Sequence, residues 1–281
     1  MEKKQLYNTI IVLGCGESIK SLTKEEIEYI NNCKIRIAIN KFMGFYDLTP
    51  LKPNYVYFHD EMDNSFYMFK YILEKCKKNN LTNLTFFTNP HFKGLSSKYG
   101  LLYLLYLKLR SGIKWYILKR KSWTADQLYL RLPFKKIQCP KSSKIITVKL
   151  ETYDKGDNWA QNIHEKLFNY KGSLSSILNL CSILSPNTPI YLVGNDFNGS
   201  KYFFQEELNK LTFPTHDFST QIIQKYNRHM SFIANNDGKT FSDKIPDIIN
   251  HLSKTKNELY CINPDSLLVT QGNIKYKKLP I

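Results

Sequence analysis

Residues 9–18 read TIIVLGCGES and residues 35–40 read IRIAIN, two largely apolar runs that are separated by a helical pattern. An apolar run that ends in a Gly-X-Gly turn and leads into a helix is typical of the first β-turn-α-β unit of a nucleotide-binding sheet. Such a turn directs backbone N–H groups and the positive end of a helix toward an anion. Residues 7–40 therefore predict two neighbouring parallel strands with a phosphate site at their carboxyl ends.

The turn departs from the dinucleotide-binding motif at two positions. Ile19 follows Ser18 where that motif has its third glycine, and Asn40 ends the second strand where a carboxylate would bind a ribose. The sequence leaves two interpretations open, a phosphate-binding turn and a tight turn that only packs against its neighbours.

The charge balance indicates anionic partners. The 281 residues include 40 Lys and Arg against 24 Asp and Glu, which gives a formal net charge of +16. This bias favours nucleic acid, phosphate-bearing small molecules or an anionic membrane surface, and charge alone does not choose among them. The length allows a substantial core, and we predict a single nucleotide-binding α/β domain over residues 1–281.

The six cysteines indicate a reducing compartment. They lie far apart, with no C-x-x-C pair and no Cys/His ligand spacing, as buried thiols do in proteins without disulfides or structural zinc. The first residues lead into a strand without a signal-peptide pattern, and no run of about 18 uncharged apolar residues occurs. These features predict a cytoplasmic protein with no metal site and no membrane-spanning helix.

Strand and helix patterns alternate along the rest of the chain. Further strands are predicted at 54–58, 82–88, 144–150, 189–197 and, as the last strand, 258–262, and helices at 65–78, 159–168, 172–184 and 246–254. The predicted fold class is α/β, a Rossmann-like, mostly parallel sheet with helices on both faces. The carboxyl ends of such strands line one crevice, where we expect Gly14, Gly16, Asn40, His59 and Asn89.

Two segments depart from this alternation. Residues 92–170 predict an enlarged, partly helical and basic insertion, and residues 201–245 predict a lid or acceptor-binding region. Within the first, residues 101–110 (LLYLLYLKLR) and 114–123 (KWYILKRKSW) mix apolar and aromatic residues with Lys and Arg. This composition fits a helix at an anionic membrane interface and, equally, an amphipathic helix that packs on the core. The first alternative predicts peripheral association with a membrane.

Six collinear blocks resemble the family 42 bacterial sialyltransferases, which use CMP-activated sialic acid. The blocks are VLGCGESIK at 12–20, AINKF at 38–42, YVYFHD at 55–60, KGS at 171–173, IYLVGNDFNGSKY at 190–202 and LYCINPDSLL at 259–268. Each block alone is a weak signal, whereas the six in order are a specific combination.

The resemblance implies an inverting, metal-independent glycosyltransferase. Such an enzyme moves sialic acid, or a related nonulosonic acid, from a CMP-sugar to a glycan acceptor of surface lipooligosaccharide or capsule. The CMP-sugar is a donor substrate, so no cofactor is implied. The positions that match the family's donor-binding residues are Gly14, Cys15, Gly16, Ser18, Asn40, His59, Gly172, Ser173 and Asp196.

The catalytic positions come from the same resemblance and from the needs of the reaction. CMP leaves as a phosphate anion, and Tyr202 matches a tyrosine whose hydroxyl binds that phosphate. The acceptor hydroxyl must lose a proton, for which a neutral imidazole is a suitable base. The family's base falls at about His229. His216, beside Asp217, is the second candidate, and Arg228 is a candidate for neutralising the donor carboxylate.

Three departures from the family leave the donor open. Cys15 and His59 stand where the family has asparagine. The loop after Asp196 is shorter, so the first of the family's two phosphate-binding tyrosines has no counterpart. The expected donor is therefore sialic acid or a relative such as Kdo, and homo-oligomer formation is also left open.

Two other functions compete with glycosyl transfer. A Rossmann-like, metal-dependent pyrophosphokinase has a similar glycine-rich start, and Asp60, Glu61 and Asp63 are available as its metal ligands. A nucleic-acid-binding protein would use the net charge and the abundant Tyr and Phe. Against it, the aromatic residues fall in strand and helix patterns, where burial is the default, and no nucleic-acid-binding motif occurs. We therefore expect no nucleic-acid partner.

Overall fold

The structure, a computed structural model, describes residues 6–59, 65–90, 92, 100–113, 138–151, 158–198, 201–211, 229–234 and 238–281. Ten strands are present in these residues: β1 (Tyr7–Leu13), β2 (Cys33–Ile39), β3 (Tyr55–Phe58), β4 (Thr85–Thr88), β5 (Lys144–Thr147), β6 (Lys149–Leu150), β7 (Lys166–Leu167), β8 (Ile190–Val193), β9 (Leu259–Cys261) and β10 (Lys275–Tyr276). Strands β6 and β7 form a separate pair, and the other eight form one sheet in which every neighbouring pair is parallel. The predicted α/β class is confirmed.

The α-helices alternate with these strands. They are α1 (Lys24–Asn31), α2 (Ser65–Lys78), α3 (Gly100–Gly112), α4 (Ser173–Leu184), α5 (Gln205–Asn209), α6 (Ile245–Lys254) and α7 (Leu267–Thr270). The first helix begins with a capping box, because Thr23 Oγ1 accepts a hydrogen bond from Glu26 N at 3.2 Å and Glu26 Oε2 accepts one from Thr23 N at 2.8 Å. A short 3₁₀ helix, Glu17–Ser21, lies between the glycine-rich turn and α1.

The sheet has a hydrophobic core on each face. Successive residues of a strand point to opposite faces, so Ile11 and Leu13 of β1 lie in one core while Ile10 and Val12 lie in the other. The first core includes buried residues of α1 and α2, and the second core includes buried residues of α4 and α6. This two-sided burial explains why β1 is apolar throughout its second half.

The strand order contains one reversal. Along the sheet it is β10-β9-β8-β1-β2-β3-β4-β5. From β1 the chain proceeds outward through β2 to β5, then returns to β8 on the other side of β1 and proceeds outward again to β9 and β10. In open parallel sheets, ligands bind at the carboxyl ends of the strands at such a reversal. The expected binding position is therefore the edge formed by the residues that follow β1 and β8.

The prediction of a helix over residues 159–168 is wrong. These residues form turns followed by β7, because the side chain of Asn179 on α4 binds their backbone. Its Oδ1 accepts hydrogen bonds from Ala160 N at 3.0 Å and Phe168 N at 2.9 Å, and its Nδ2 donates to the Ala160 carbonyl oxygen at 2.9 Å. Residues that are remote in sequence thus satisfy backbone groups that a helix would have paired locally.

The sequence predicted β9 as the last strand, and this prediction is wrong. A further strand, β10, follows it and pairs with it at the edge of the sheet. The range 92–170, predicted as an insertion, contains β5, which pairs with β4 in the main sheet. The range 201–245, predicted as a lid, contributes Phe203, Phe204 and Leu208 to the first core. Both segments therefore supply parts of the central structure.

Helix α3 lies in the segment for which the sequence left two interpretations open, a helix at a membrane interface and an amphipathic helix that packs on the core. Leu107 is buried in the first core, whereas Leu102, Leu105 and Leu109 are exposed. Among the residues that the structure describes, no helix is both long enough and apolar enough to cross a bilayer.

Candidate functional site

A buried carboxylate joins the ends of three strands. Asp196, which follows β8, is 4 % exposed. Ser18 donates to it twice, from N to Oδ2 at 3.0 Å and from Oγ to Oδ1 at 2.5 Å. Asn263, which follows β9, donates from Nδ2 to Oδ1 at 2.8 Å. Because Ser18 follows β1, this carboxylate links β1, β8 and β9 at their carboxyl edge.

Gly14 and Gly16 allow the loops of β1 and β8 to approach each other. A Cβ atom on Gly16 would lie 2.2 Å from Asp196 Oδ2, and one on Gly14 would lie 2.3 Å from the Gly194 carbonyl oxygen. Real carbon and oxygen atoms cannot come this close without displacing one another. Both glycines of the predicted phosphate turn are therefore required by packing within the protein.

Backbone N–H groups of the same turn donate to acceptors within the protein. Gly14 N bonds the Val193 carbonyl oxygen and Gly16 N bonds the Gly194 carbonyl oxygen, each at 2.7 Å, and Ser18 N bonds the Asp196 carboxylate. The carboxylate thus lies at the start of the 3₁₀ helix, where the sequence predicted a phosphate. This geometry favours the packed-turn interpretation. Donor binding by Gly14, Gly16 and Ser18 stays a prediction. Since their N–H groups already bond acceptors within the protein, such binding would have to involve other atoms of the turn.

Asn40 joins the end of β2 to β3 and to α4. Its Oδ1 accepts a hydrogen bond from His59 N at 3.2 Å, and its Nδ2 donates to Ser173 Oγ at 2.9 Å. Its backbone is left-handed, with φ 43°, a conformation that asparagine adopts more readily than most residues. Gly172, the residue before α4, has φ 131°. Four predicted donor-binding residues, Asn40, His59, Gly172 and Ser173, therefore lie together.

His59 is neutral at physiological pH. Burial lowers the pKa of this side chain to about 4, because removal from water disfavours the charged ring. A neutral imidazole can donate or accept a hydrogen bond, but it supplies no positive charge to a phosphate. The predicted contribution of His59 to donor binding is thereby limited to hydrogen bonding.

Tyr202 lies against the glycine-rich turn. Its backbone forms an isolated antiparallel bridge with Gly16, and the N–H of Phe203 donates to the Cys15 carbonyl oxygen at 3.0 Å. The Lys41 ammonium lies 5.9 Å from the centre of the Tyr202 ring. The ammonium thus lies over the face of the Tyr202 ring, beside the ends of β1 and β2.

His229 is bound to the segment in front of α4. Its Nδ1 lies 3.1 Å from Ser231 Oγ, and that hydroxyl donates to the Lys171 carbonyl oxygen at 2.6 Å. Since the hydroxyl proton is used in the second bond, the Ser231 oxygen faces Nδ1 as an acceptor. The Ser231 N–H approaches Nδ1 at the longer distance of 3.3 Å. A backbone N–H can only donate, so Nδ1 accepts from Ser231 N, whereas the contact with an accepting Ser231 Oγ needs hydrogen on Nδ1. The two contacts call for opposite tautomers, and a base at Nε2 requires the one with hydrogen on Nδ1.

The His229 ring also contacts the residue after Asp196. It lies edge-on against Phe197, with ring centres 5.2 Å apart, and His229 N donates to the Phe197 carbonyl oxygen at 3.4 Å. Phe197 has φ 56°, a left-handed conformation that costs about 1–2 kcal/mol outside glycine. The rings of Phe232 and Phe241 pack against it. The predicted base therefore lies against the residue that follows the hydrogen-bonded Asp196.

Several predicted residues lie outside the described residues. These are the second base candidate His216, Arg228 and the carboxylates of the kinase alternative, Asp60, Glu61 and Asp63. Within the described part of the chain, no group of three or more His, Cys, Asp and Glu residues is arranged to bind a metal ion.

Sequence reasoning missed Ser231, Lys171 and Asn263. Lys171 is buried with φ 50°, and its Nζ donates to the Ile233 carbonyl oxygen at 2.7 Å, so it binds the His229 segment through both backbone and side chain. Asn263 follows a predicted strand, which is a usable local signal for a site residue. Ser231 offers no such signal, because its role depends on a contact with a residue remote in sequence.

No protein-family model, no curated protein and no solved structure matches this chain. A functional assignment therefore depends on the residues themselves and on their geometry.

Replacing Asp196 by Ala removes the acceptor shared by Ser18 and Asn263. We expect the free energy of unfolding to fall by about 3 kcal/mol, because partly buried donors lose the charged partner that joins three strand ends. Urea unfolding followed by circular dichroism measures this change. Asp265→Ala, which alters an exposed carboxylate near Asn263, is the matched control and should change stability by less than about 0.5 kcal/mol. Equal losses in the two variants would contradict the structural role of Asp196.

His59 should make the protein less stable in mild acid. The pKa of histidine is 6.5 in a model peptide and about 4 at this position, so the unfolded chain binds more protons between those values. The free energy of unfolding should be highest above the upper value and fall as the pH drops to the lower one, by up to about 3 kcal/mol. In His59→Asn this part of the pH dependence should be absent. Urea unfolding at several pH values across this range measures the effect. If the free energy of unfolding changes equally with pH in both proteins, the prediction is wrong.

Proposed function

We propose that the protein is a glycosyltransferase that moves sialic acid, or a related nonulosonic acid such as Kdo, from a CMP-sugar to a hydroxyl group of a glycan. The acceptor we favour belongs to surface lipooligosaccharide or capsule. Transfer is inverting and uses no metal ion. The resemblance of six sequence blocks and the geometry at the ends of β1 and β8 support this proposal together.

The observation that carries the proposal is the position of His229. It is remote in sequence from Asp196, yet its ring contacts Phe197 and its Nδ1 is linked through Ser231 to the residue before Gly172. The imidazole ring thus lies against Phe197, in the loop after β8. A transferase needs a base and a group that binds the leaving phosphate to act on one substrate, and we propose His229 and Tyr202 for these two roles.

The leaving group in this reaction is CMP. When the bond from the anomeric carbon to the phosphate oxygen breaks, the electron pair stays on the phosphate, which gains negative charge. In our proposal the Tyr202 hydroxyl and the Lys41 ammonium stabilise that charge. Asn40 can add a hydrogen bond, since an amide has two N–H groups and only one is used by Ser173 in the contacts described.

The acceptor hydroxyl is the nucleophile. His229 Nε2 takes its proton while the acceptor oxygen bonds to the anomeric carbon on the side opposite the phosphate, which inverts that centre. The positive charge that forms on the ring is stabilised through Nδ1–H by the Ser231 oxygen, whose own proton is directed to the Lys171 carbonyl. The imidazolium then releases its proton to solvent.

The acceptor class determines where the enzyme works. Lipooligosaccharide and capsule precursors are attached to lipid, so we place the protein in the cytoplasm as a peripheral protein of the inner membrane. A glycan chain held at the bilayer surface would then reach the edge of the sheet at which β1 and β8 end.

Thermal unfolding with a nucleotide series tests the donor class. We expect CMP and CMP-sialic acid to raise the melting temperature without magnesium, because a ligand that binds only the native state adds about 2.7 kcal/mol at a hundredfold excess over its Kd. UDP and ATP should have little effect. Stabilisation by ATP only when magnesium is present would favour the kinase, and stabilisation by an oligonucleotide alone would favour the nucleic-acid-binding protein. Either result would overturn the proposal.

Turnover tests the base. We expect His229→Ala to lower the rate of CMP release in the presence of a glycan acceptor by about 10²–10⁴-fold, while CMP still stabilises the variant, since His229 is proposed to act on the acceptor. His164→Ala, at an exposed histidine, is the matched control and should keep full activity. Tyr202→Phe should lose both turnover and stabilisation by CMP. An active His229→Ala protein would refute the assignment of this base.

A further inference from the structure

We infer that helix α3 binds the surface of an anionic lipid bilayer through an exposed apolar face. The large apolar side chains of α3 and of the residue after it that face solvent are Leu101, Leu102, Leu105, Tyr106, Leu109 and Ile113. Leu102 is 65 % exposed and Leu109 is 60 % exposed. Single exposed apolar residues are ordinary, whereas a contiguous set on one helix marks an interaction surface.

These side chains occupy one side of the helix. Viewed down the helix axis, at about 100° per residue, they fall within an arc of about 140°. Leu107 lies on the opposite side of the helix from the middle of that arc. Leu107 is 3 % exposed and packs in the first core. The helix is therefore attached to the protein on one side, while its apolar face points away from the protein.

Basic residues border the apolar face on both sides. Lys108 lies about 20° beyond one edge of the arc and Arg110 about 40° beyond the other. Partial burial lowers the pKa of Lys108, because removal from water disfavours the charged ammonium. The long stems of Lys and Arg can follow an apolar surface while their charged ends reach lipid headgroups. This order of residues around the helix is typical of helices that lie in the plane of a membrane interface.

Charge favours a bilayer over a second copy of the chain. A second copy would bring another net charge of +16, with its own Lys108 and Arg110, to the same contact. Anionic lipid instead attracts each such cation by about 1 kcal/mol near the surface. At 13 residues, α3 is too short to cross the hydrocarbon region, which takes about 20 residues. The geometry therefore fits a helix that lies on one leaflet.

Vesicle flotation tests this inference and requires no sugar substrate, so membrane binding and transferase activity can fail independently. The full chain is mixed with phosphatidylcholine vesicles that contain or lack about 30 mol% phosphatidylglycerol. We expect the protein to float with the anionic vesicles at least about tenfold more strongly than with the neutral ones, and the difference to shrink as salt is raised.

Two variants separate the apolar and the charged contributions. Leu105→Glu with Leu109→Glu should weaken binding by about tenfold or more, because two apolar contacts are lost and two negative charges are added. The matched control is Leu48→Glu with Ile249→Glu, which changes exposed apolar residues outside α3 and should bind as the unaltered chain does. Lys108→Gln with Arg110→Gln keeps the apolar face and should reduce only the preference for anionic vesicles. Urea unfolding checks that all variants fold.

The outcomes are distinct. Equal binding by the α3 variant and its control, or no binding to anionic vesicles by the unaltered chain, would overturn the inference. A dimer in light scattering that Leu105→Glu with Leu109→Glu converts to a monomer would also overturn it, since the face would then be a contact between copies.

Discussion

The carboxylate of Asp196 lies where the strand order reverses, with little access to water, and it accepts hydrogen bonds from Ser18 and Asn263. A buried carboxylate is costly unless donors replace the water that it has lost. Here the donors come from the loops after β1 and β9, so the ends of three strands are joined through one charged group. The lack of side chains at Gly14 and Gly16 is what permits this contact. The rest of the site is built on this rigid edge.

The backbone beside Asp196 determines where the other groups lie. Phe197 and Lys171 both have positive φ, a conformation that persists only where surrounding contacts compensate for its cost. Rings from remote segments pack on Phe197, and the Ser231 hydroxyl bonds the Lys171 carbonyl. Through these contacts a base candidate is placed next to the edge of the sheet. In our account, a neutral His59, the Tyr202 phenol and the Lys41 ammonium then give the donor site hydrogen bonds and one positive charge.

Local signals made the fold class predictable. Strands buried on both faces are apolar along their length, and helices show their own period, so the strands β1, β2, β3 and β8 and the helices α1, α2 and α4 could be inferred directly. Contacts between remote residues were not predictable. Asn179 binds the backbone of Ala160 and Phe168 and prevents the helix predicted over 159–168, and a two-residue strand such as β10 has no periodic pattern to recognise.

The candidate site was predictable to a similar extent. Polar residues at strand ends indicated Asn40 and His59, because parallel strands bring those ends to one edge, and the family resemblance indicated Asp196. The sequence did not show that the anion bound at the start of the first helical segment is the protein's own carboxylate. A turn that binds phosphate and a turn that packs on a carboxylate use the same glycines and the same N–H groups, and only the position of Asp196 distinguishes them.

A crystal structure of the protein with CMP is the most direct test of the central claim, that the donor binds at the edge where β1 and β8 end while Asp196 keeps its internal hydrogen bonds. The account predicts the phosphate within about 3 Å of the Tyr202 hydroxyl and near the Lys41 ammonium, with the bonds between Ser18 and Asp196 unchanged. A phosphate bound to the N–H groups of Gly16 and Ser18 in place of the carboxylate, or CMP bound elsewhere on the protein, would contradict it.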